Sequence, residues 1–158
     1  MAVVKTISIE DFTTDAGAVY KQIDLHYQQF GQAIDQAPVV LINHSLTGDA
    51  NVTGSEGWWS EIVGPGCTID SNHYAIIAFN IPGNGVNDNV IKNFEDFHTG
   101  DIAEIFYLSL KQLGISKLFA IVGGSIGGGI AWEMAALYPT LTENLIPVAA
   151  DWKASDWI

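Results

Sequence analysis

The sequence predicts an α/β fold: a mostly parallel sheet with helices on both faces. Three observations predict it. Four short apolar runs, Val39–Ile42, Ala75–Phe79, Leu118–Val122 and Leu145–Ala150, lack alternation, as strands buried on both faces would. Helical patterns separate the later runs. The residues just past three of the four runs are glycine-rich or polar, and open α/β sheets bind ligands beyond the carboxyl ends of their strands.

Taken in order, Thr6–Thr13 and the alternating Ile23, Leu25 and Tyr27 suggest an antiparallel pair at a sheet edge, ended by Gly31. The first apolar run follows Pro38. Ile102, Ile105, Phe106, Leu110 and Leu113 share one helical face, with Asp101 and Glu104 in the first turn and Gly114 just past the end. A second helix is expected over Gly128–Tyr138, stopped before Pro139. The last run is interrupted by Pro147. Strand and helix in alternation imply right-handed crossovers.

A chain of 158 residues suffices for one domain with a real core, and 48% hydrophobic against 15% charged residues argues for a globular chain rather than a disordered one. The net charge of −12 would repel a duplex or an anionic membrane surface, so neither nucleic acid nor membrane is an expected partner. No apolar run approaches membrane-spanning length, and the first ten residues do not read as a signal peptide, so the expected location is the cytoplasm. Cys67 is the only cysteine, which excludes an internal disulfide. No metal site is expected.

Gly123-Gly124-Ser125-Ile126-Gly127 matches G-x-S-x-G between a buried strand and a helix, the context in which that motif builds a nucleophile elbow. Ser125 would sit on a strained turn, and side chains two residues before and after it would collide with backbone, hence glycine at both places. The helix N-terminus then offers free N–H groups to a developing oxyanion. The second donor comes from the loop after an earlier strand, here His44-Ser45-Leu46-Thr47-Gly48. The expected donors are the backbone N–H groups of Leu46 and Ile126, with Ser45 as the one-residue alternative to Leu46. His44 reads as a residue that orients the loop. The stretch Gly123–Gly129 fits neither a dinucleotide fingerprint nor a P-loop.

These residues resemble the homoserine O-acetyltransferase family of the α/β-hydrolase fold, over nearly the whole chain. Asn43-His44-Ser45-Leu46-Thr47-Gly48-Asp49 is similar to the family's His-Ala-Leu-Thr-Gly loop. Gly57-Trp58-Trp59, Gly64-Pro65-Gly66 and Ile69-Asp70 resemble its Gly-Trp-Trp, Gly-Pro-Gly and Ile-Asp segments. Gly123–Gly128 matches its nucleophile motif with Ile126 in place of the common methionine, and Tyr138-Pro139 is shared. The resemblance implies a ping-pong acyltransferase of amino-acid (methionine) biosynthesis. Ser125 would take an acetyl or succinyl group from an acyl-CoA co-substrate and pass it to the hydroxyl of homoserine or a related acceptor, with no bound cofactor. Trp58 and Trp59 would flank the acyl pocket.

Two departures leave alternatives open. The loop Ile81–Val86 is shorter than the family's, which keeps a carboxylester or thioester hydrolase in view. His26, His44, His73 and His98 all precede Ser125, whereas the fold's order is nucleophile, acid, histidine. His98 is placed at a helix start and Asp151 in a turn, not in a triad. The 158 residues therefore read as the N-terminal part of one hydrolase domain, with lid, acid and histidine segments outside it and a homodimer open for the complete protein. A non-catalytic binding protein on this fold is the third alternative.

Overall fold

The computed structural model describes residues 3–153. β1 (Lys5–Thr13) and β2 (Val19–Gly31) form the expected antiparallel pair, with Ile7 opposite Leu25 and Ile9 opposite Ile23. β3 (Val39–Asn43) follows. A two-stranded parallel pair, β4 (Val63–Gly64) and β5 (Ile69–Asp70), interrupts a long loop-rich segment before β6 (Ala75–Phe79). Then come α1 (Thr99–Gln112), β7 (Leu118–Gly124), α2 (Ile126–Leu137) and β8 (Thr142–Val148). The six-stranded sheet has the order β1-β2-β6-β3-β7-β8. Its β6-β3-β7-β8 part is parallel, and β2 joins β6 antiparallel. Every residue of β3 and β6 is buried, which is why these two strands lack alternation.

One sheet face presents Leu41, Ile77, Phe79 and Ile121 to Ile105, Phe106 and Leu110 of α1 and to Ile130 and Met134 of α2. Phe79 and Phe106 meet with ring centroids 5.0 Å apart. Full burial of side chains this size stabilises the fold by about 1.5–3 kcal/mol each. Both α-helices of the described residues share this core. The other face, with Val40, Ile42, Ile76, Ala78 and Val122, packs against Ala50, Val52, Val63, Ile69 and Trp59 of the loop-rich segment. The expectation of helices on both faces is therefore corrected for the described residues. Residues 44–74 hold too many glycines and short polar side chains for a helix, yet carry enough apolar groups to cap the sheet.

α1 starts and stops as its sequence indicates. Asp101 accepts the His98 N–H at 2.7 Å on Oδ2 and the Asp15 N–H at 2.7 Å on Oδ1, tying the β1–β2 turn to the helix. Gly114 takes φ +76° and donates its N–H to the Lys111 carbonyl at 3.0 Å.

Two boundaries differ from expectation. α2 begins at Ile126 rather than Gly128, so glycines occupy its first turn. Their poor helix propensity is overridden by close packing against β3 and the Ala150 turn. β8 runs from Thr142 to Val148 rather than over Leu145–Ala150, and among the described residues it is the outermost strand, with Ile146 47% and Val148 42% exposed. Pro147 lies in this strand opposite Gly123 of β7.

Candidate active site

The G-x-S-x-G segment, the elbow of the sequence motif, forms the turn where β7 hands over to α2. Ser125 takes φ 54° and ψ −124°, a left-handed conformation rare for a residue with a side chain, and it is exposed. Such backbone strain costs on the order of 1–3 kcal/mol and persists only when its surroundings enforce it. They do so from both sides. The Ser125 N–H donates to the Val148 carbonyl at 3.0 Å, and the Ser125 carbonyl accepts N–H groups from Gly128 at 2.9 Å and Gly129 at 3.1 Å. A Cβ on Gly123 would overlap the backbone of Gly127, and a Cβ on Gly127 would overlap the carbonyls of Asn43 and His44. A Cβ on Gly124, beside the serine, would meet nothing. The glycines at both ends of the motif are thus close-approach residues, as read from the sequence.

The loop after β3 reaches the elbow through these contacts. His44 is 1% exposed. Its Nε2 accepts the Ile81 N–H at 2.9 Å and its Nδ1 lies 2.6 Å from the Ser45 carbonyl. These partners define the neutral Nδ1–H tautomer, and burial pushes the ring's pKa below its usual value. His44 thereby orients the loop, as its position suggested. The Gly48 N–H closes the turn onto the Ser45 carbonyl at 2.9 Å. Leu46 projects outward, 73% exposed. Among the described residues, the Leu46 and Ile126 N–H groups have no hydrogen-bond acceptor.

Trp58 is tied to this loop: its Nε1–H donates to the Asp49 carbonyl at 2.9 Å and its ring stacks on Trp59 at 4.7 Å. Trp59 packs under the sheet against the second core. A cavity of about 220 Å³ adjoins the loop, lined by Asp49, Ala50, Asn51, Gln28, Asn80 and Val86. His98 stands at the N-cap of α1, its side chain 67% exposed. Asp151 accepts the next residue's N–H at 2.8 Å, a local turn. His26 pairs with Thr6 and His73 with Asp70. None of the four histidines contacts Ser125, whose hydroxyl has no hydrogen-bond partner among the described residues. No group of three or more His, Cys, Asp or Glu among them is placed to hold a metal ion. No helix among them is long and apolar enough to cross a membrane.

Two participants escaped the sequence reading. The Val148 carbonyl holds the Ser125 N–H, a backbone role with no side-chain signature. Asn43 ends β3 beneath the elbow; its polar side chain at the end of an apolar run was the available signal.

An exposed, strained serine between strand and helix, at the carboxyl end of a parallel sheet, is the setting that G-x-S-x-G occupies in proteins of the α/β-hydrolase class. The chain belongs to the alpha/beta hydrolase fold family, which matches residues 38–156. A homoserine O-acetyltransferase of Haloarcula marismortui is 32% identical over 92% of this chain and 41% of its own length. The crystal structure of a homoserine O-acetyltransferase from Staphylococcus aureus superposes with a TM-score of 0.85 at 27% identity, covering 99% of this chain and 49% of that one. The crystal structure of esterase E22 does so with a TM-score of 0.87 at 27% identity, covering 99% and 50%. The chain thus spans about two-fifths of that curated relative and half of those solved chains.

Proposed function

We propose that Ser125 is the nucleophile of an acyltransferase that moves an acetyl or succinyl group from an acyl-CoA to the hydroxyl of homoserine or a related amino acid. The observation that carries this is the exposed Ser125 at φ 54°, ψ −124°, held between Val148 and the first turn of α2. In the first half-reaction the Ser125 oxygen attacks the thioester carbonyl. The carbonyl oxygen becomes an oxyanion facing the N–H groups of Leu46 and Ile126, and collapse expels the CoA thiol and leaves a serine ester. In the second, the acceptor hydroxyl attacks that ester and regenerates Ser125. Trp58, with Trp59 behind it, would wall the acyl pocket. The base that takes the serine proton, and its orienting acid, lie outside the described residues. The setting implied is a cytoplasmic enzyme of amino-acid biosynthesis acting on small molecules.

A second reading, hydrolysis of esters or thioesters, uses the same serine with water as acceptor. The likeness to esterase E22 and the compact loop Ile81–Val86 favour it. One experiment separates the two. The protein is expressed from its complete reading frame, incubated with acetyl-CoA, and the adduct mapped by mass spectrometry. Homoserine is then added, and O-acetylhomoserine and acetate are quantified. Acetylation confined to Ser125, absent in Ser125→Ala, followed by O-acetylhomoserine, is expected. Acetate alone would establish the hydrolase. Labelling elsewhere, or undiminished in Ser125→Ala, would overturn both.

A further inference from the structure

We infer that Asn43 is a positioning residue for acyl transfer, which holds the two oxyanion donors in register by gripping the elbow on both sides of Ser125. The inference rests on the acyl-transfer reading and adds a residue to it. In the parallel pairing of β3 with β7, Asn43 stands opposite Gly123, two residues before the nucleophile. Its side chain crosses to the other side: Nδ2–H donates to the Gly127 carbonyl at 3.3 Å, two residues after the nucleophile. The same Nδ2 lies 4.0 Å from Met134 Sδ, so both neighbours are acceptors and the amide's orientation follows from them. The Asn43 carbonyl fills the space that a Cβ on Gly127 would need. Three residues further on is Leu46. One residue therefore joins the strand behind the serine, the helix in front of it and the loop carrying the other donor.

Asn43 is not an economical choice for packing. It is 1% exposed, and its Oδ1 is buried without a partner among the described residues. A buried unsatisfied acceptor is destabilising, whereas an apolar side chain of similar shape at such a place is often neutral or stabilising. Leu41 and Ile42, immediately before it, show that the strand accommodates apolar side chains. What an apolar residue cannot supply is the N–H directed at Gly127. Without it, the backbone packing of Gly127 against Asn43 and His44 remains, but the first turn of α2 loses the directed bond that fixes its fine position against the loop after β3. A shift of a few tenths of an ångström between two donors matters little to folding and much to a developing oxyanion, whose stabilisation depends on preorganised geometry.

The test compares Asn43→Leu and Asn43→Asp with the wild type, all expressed from the complete reading frame. Acylation of Ser125 by p-nitrophenyl acetate is followed by stopped flow, and thermal melting is recorded in parallel. The expected result for Asn43→Leu is a melting temperature equal to or above that of the wild type, with the acylation rate constant at saturation lowered about tenfold or more and half-saturation little changed, because a donor displaced from the oxyanion affects the transition state rather than binding. Asn43→Asp keeps the acceptor and loses the donor, so it shares the kinetic defect and melts lower. Acylation at the wild-type rate in a folded Asn43→Leu overturns the inference. So does a rate that falls only in step with melting temperature across the two variants, since that is what a purely structural role produces. If the wild type itself is not acylated at Ser125, the acyl-transfer reading fails and the inference with it, which distinguishes the two failures.

Discussion

The Ile81 N–H donates to His44 Nε2 at 2.9 Å, and this bond links the turn after β6 to the loop after β3. It requires an unprotonated Nε2, because a protonated ring has no acceptor.

A pH dependence follows. Burial holds the His44 pKa below its usual 6.5, so the unfolded chain binds this proton before the folded one does. Stability from His44 is complete above about 6.5 and is lost as pH falls from there through the lowered folded value. Asp24, whose pKa is held down by hydrogen bonds from Ser8 and then Gln22, acts in a separate window: its contribution is full above the usual 3.8 and is lost below it. Urea unfolding at pH 7.5 and at pH 5.5 should show lower stability at pH 5.5, and a smaller difference in His44→Gln. An undiminished difference in the variant would assign it to other groups.

The glycines of the elbow divide into two kinds. Gly123→Ala and Gly127→Ala place a methyl against backbone that cannot yield, and each should cost several kcal/mol or prevent folding, as core overpacking does. Gly129 lies in α2 with open space around its Cα. Gly129→Ala should therefore stabilise by about 0.4–1 kcal/mol, chiefly by restricting the unfolded chain. Chemical denaturation of the three variants checks both signs. A stabilised Gly127→Ala would mean that the β3–α2 contact is looser than the structure has it.

Legibility in the sequence followed the range of the forces involved. The strands and α1 were readable because burial imposes a local pattern, and G-x-S-x-G was readable because crowding at Gly123 and Gly127 restricts residue type. The missed boundaries have other causes. Gly127 and Gly128 are poor helix formers kept in α2 by contacts with Asn43 and Ala150, which are remote in sequence. β8 is apolar although, among the described residues, it is paired with β7 alone. The loop-rich cap on the second face shows no period at all, and only scattered apolar residues such as Val52, Trp59, Val63 and Ile69 betray that it packs on the sheet.

No histidine in the 158 residues is free to serve Ser125. His44 has both nitrogens engaged, His26 pairs with Thr6, and His73 and His98 lie 3.7 Å from Asp70 and Asp101. The serine hydroxyl then stays protonated and weakly nucleophilic. The isolated chain should show no steady acetyl transfer to homoserine, retaining at most the roughly 10³–10⁴-fold advantage over water that binding and an oxyanion hole provide. Turnover well above this, abolished by His98→Ala, would show that His98 leaves its cap to act as base.

The outer edge of β8 sets the behaviour of the isolated chain in solution. Beyond it, no strand among the described residues covers its unpaired N–H and C=O groups. Ile146 and Val148 are 47% and 42% exposed on the strand, and Trp132 and Leu137 of the adjoining α2 are 38% and 50% exposed. An apolar strand with one open side is a template for pairing with another chain. Pro147 removes one donor, and the net charge of −12 opposes close approach, but neither covers the apolar groups. Screening by salt weakens the repulsion and leaves the apolar surface unchanged, so association should rise with ionic strength. The 158-residue chain should therefore elute above its monomer mass in size exclusion at high salt and bind a hydrophobic dye. Ile146→Lys, which places a charge on the edge without touching the elbow, should restore the monomer. A wild-type chain that stays monomeric at high salt, with a sharp melting transition, would show that this edge is self-sufficient.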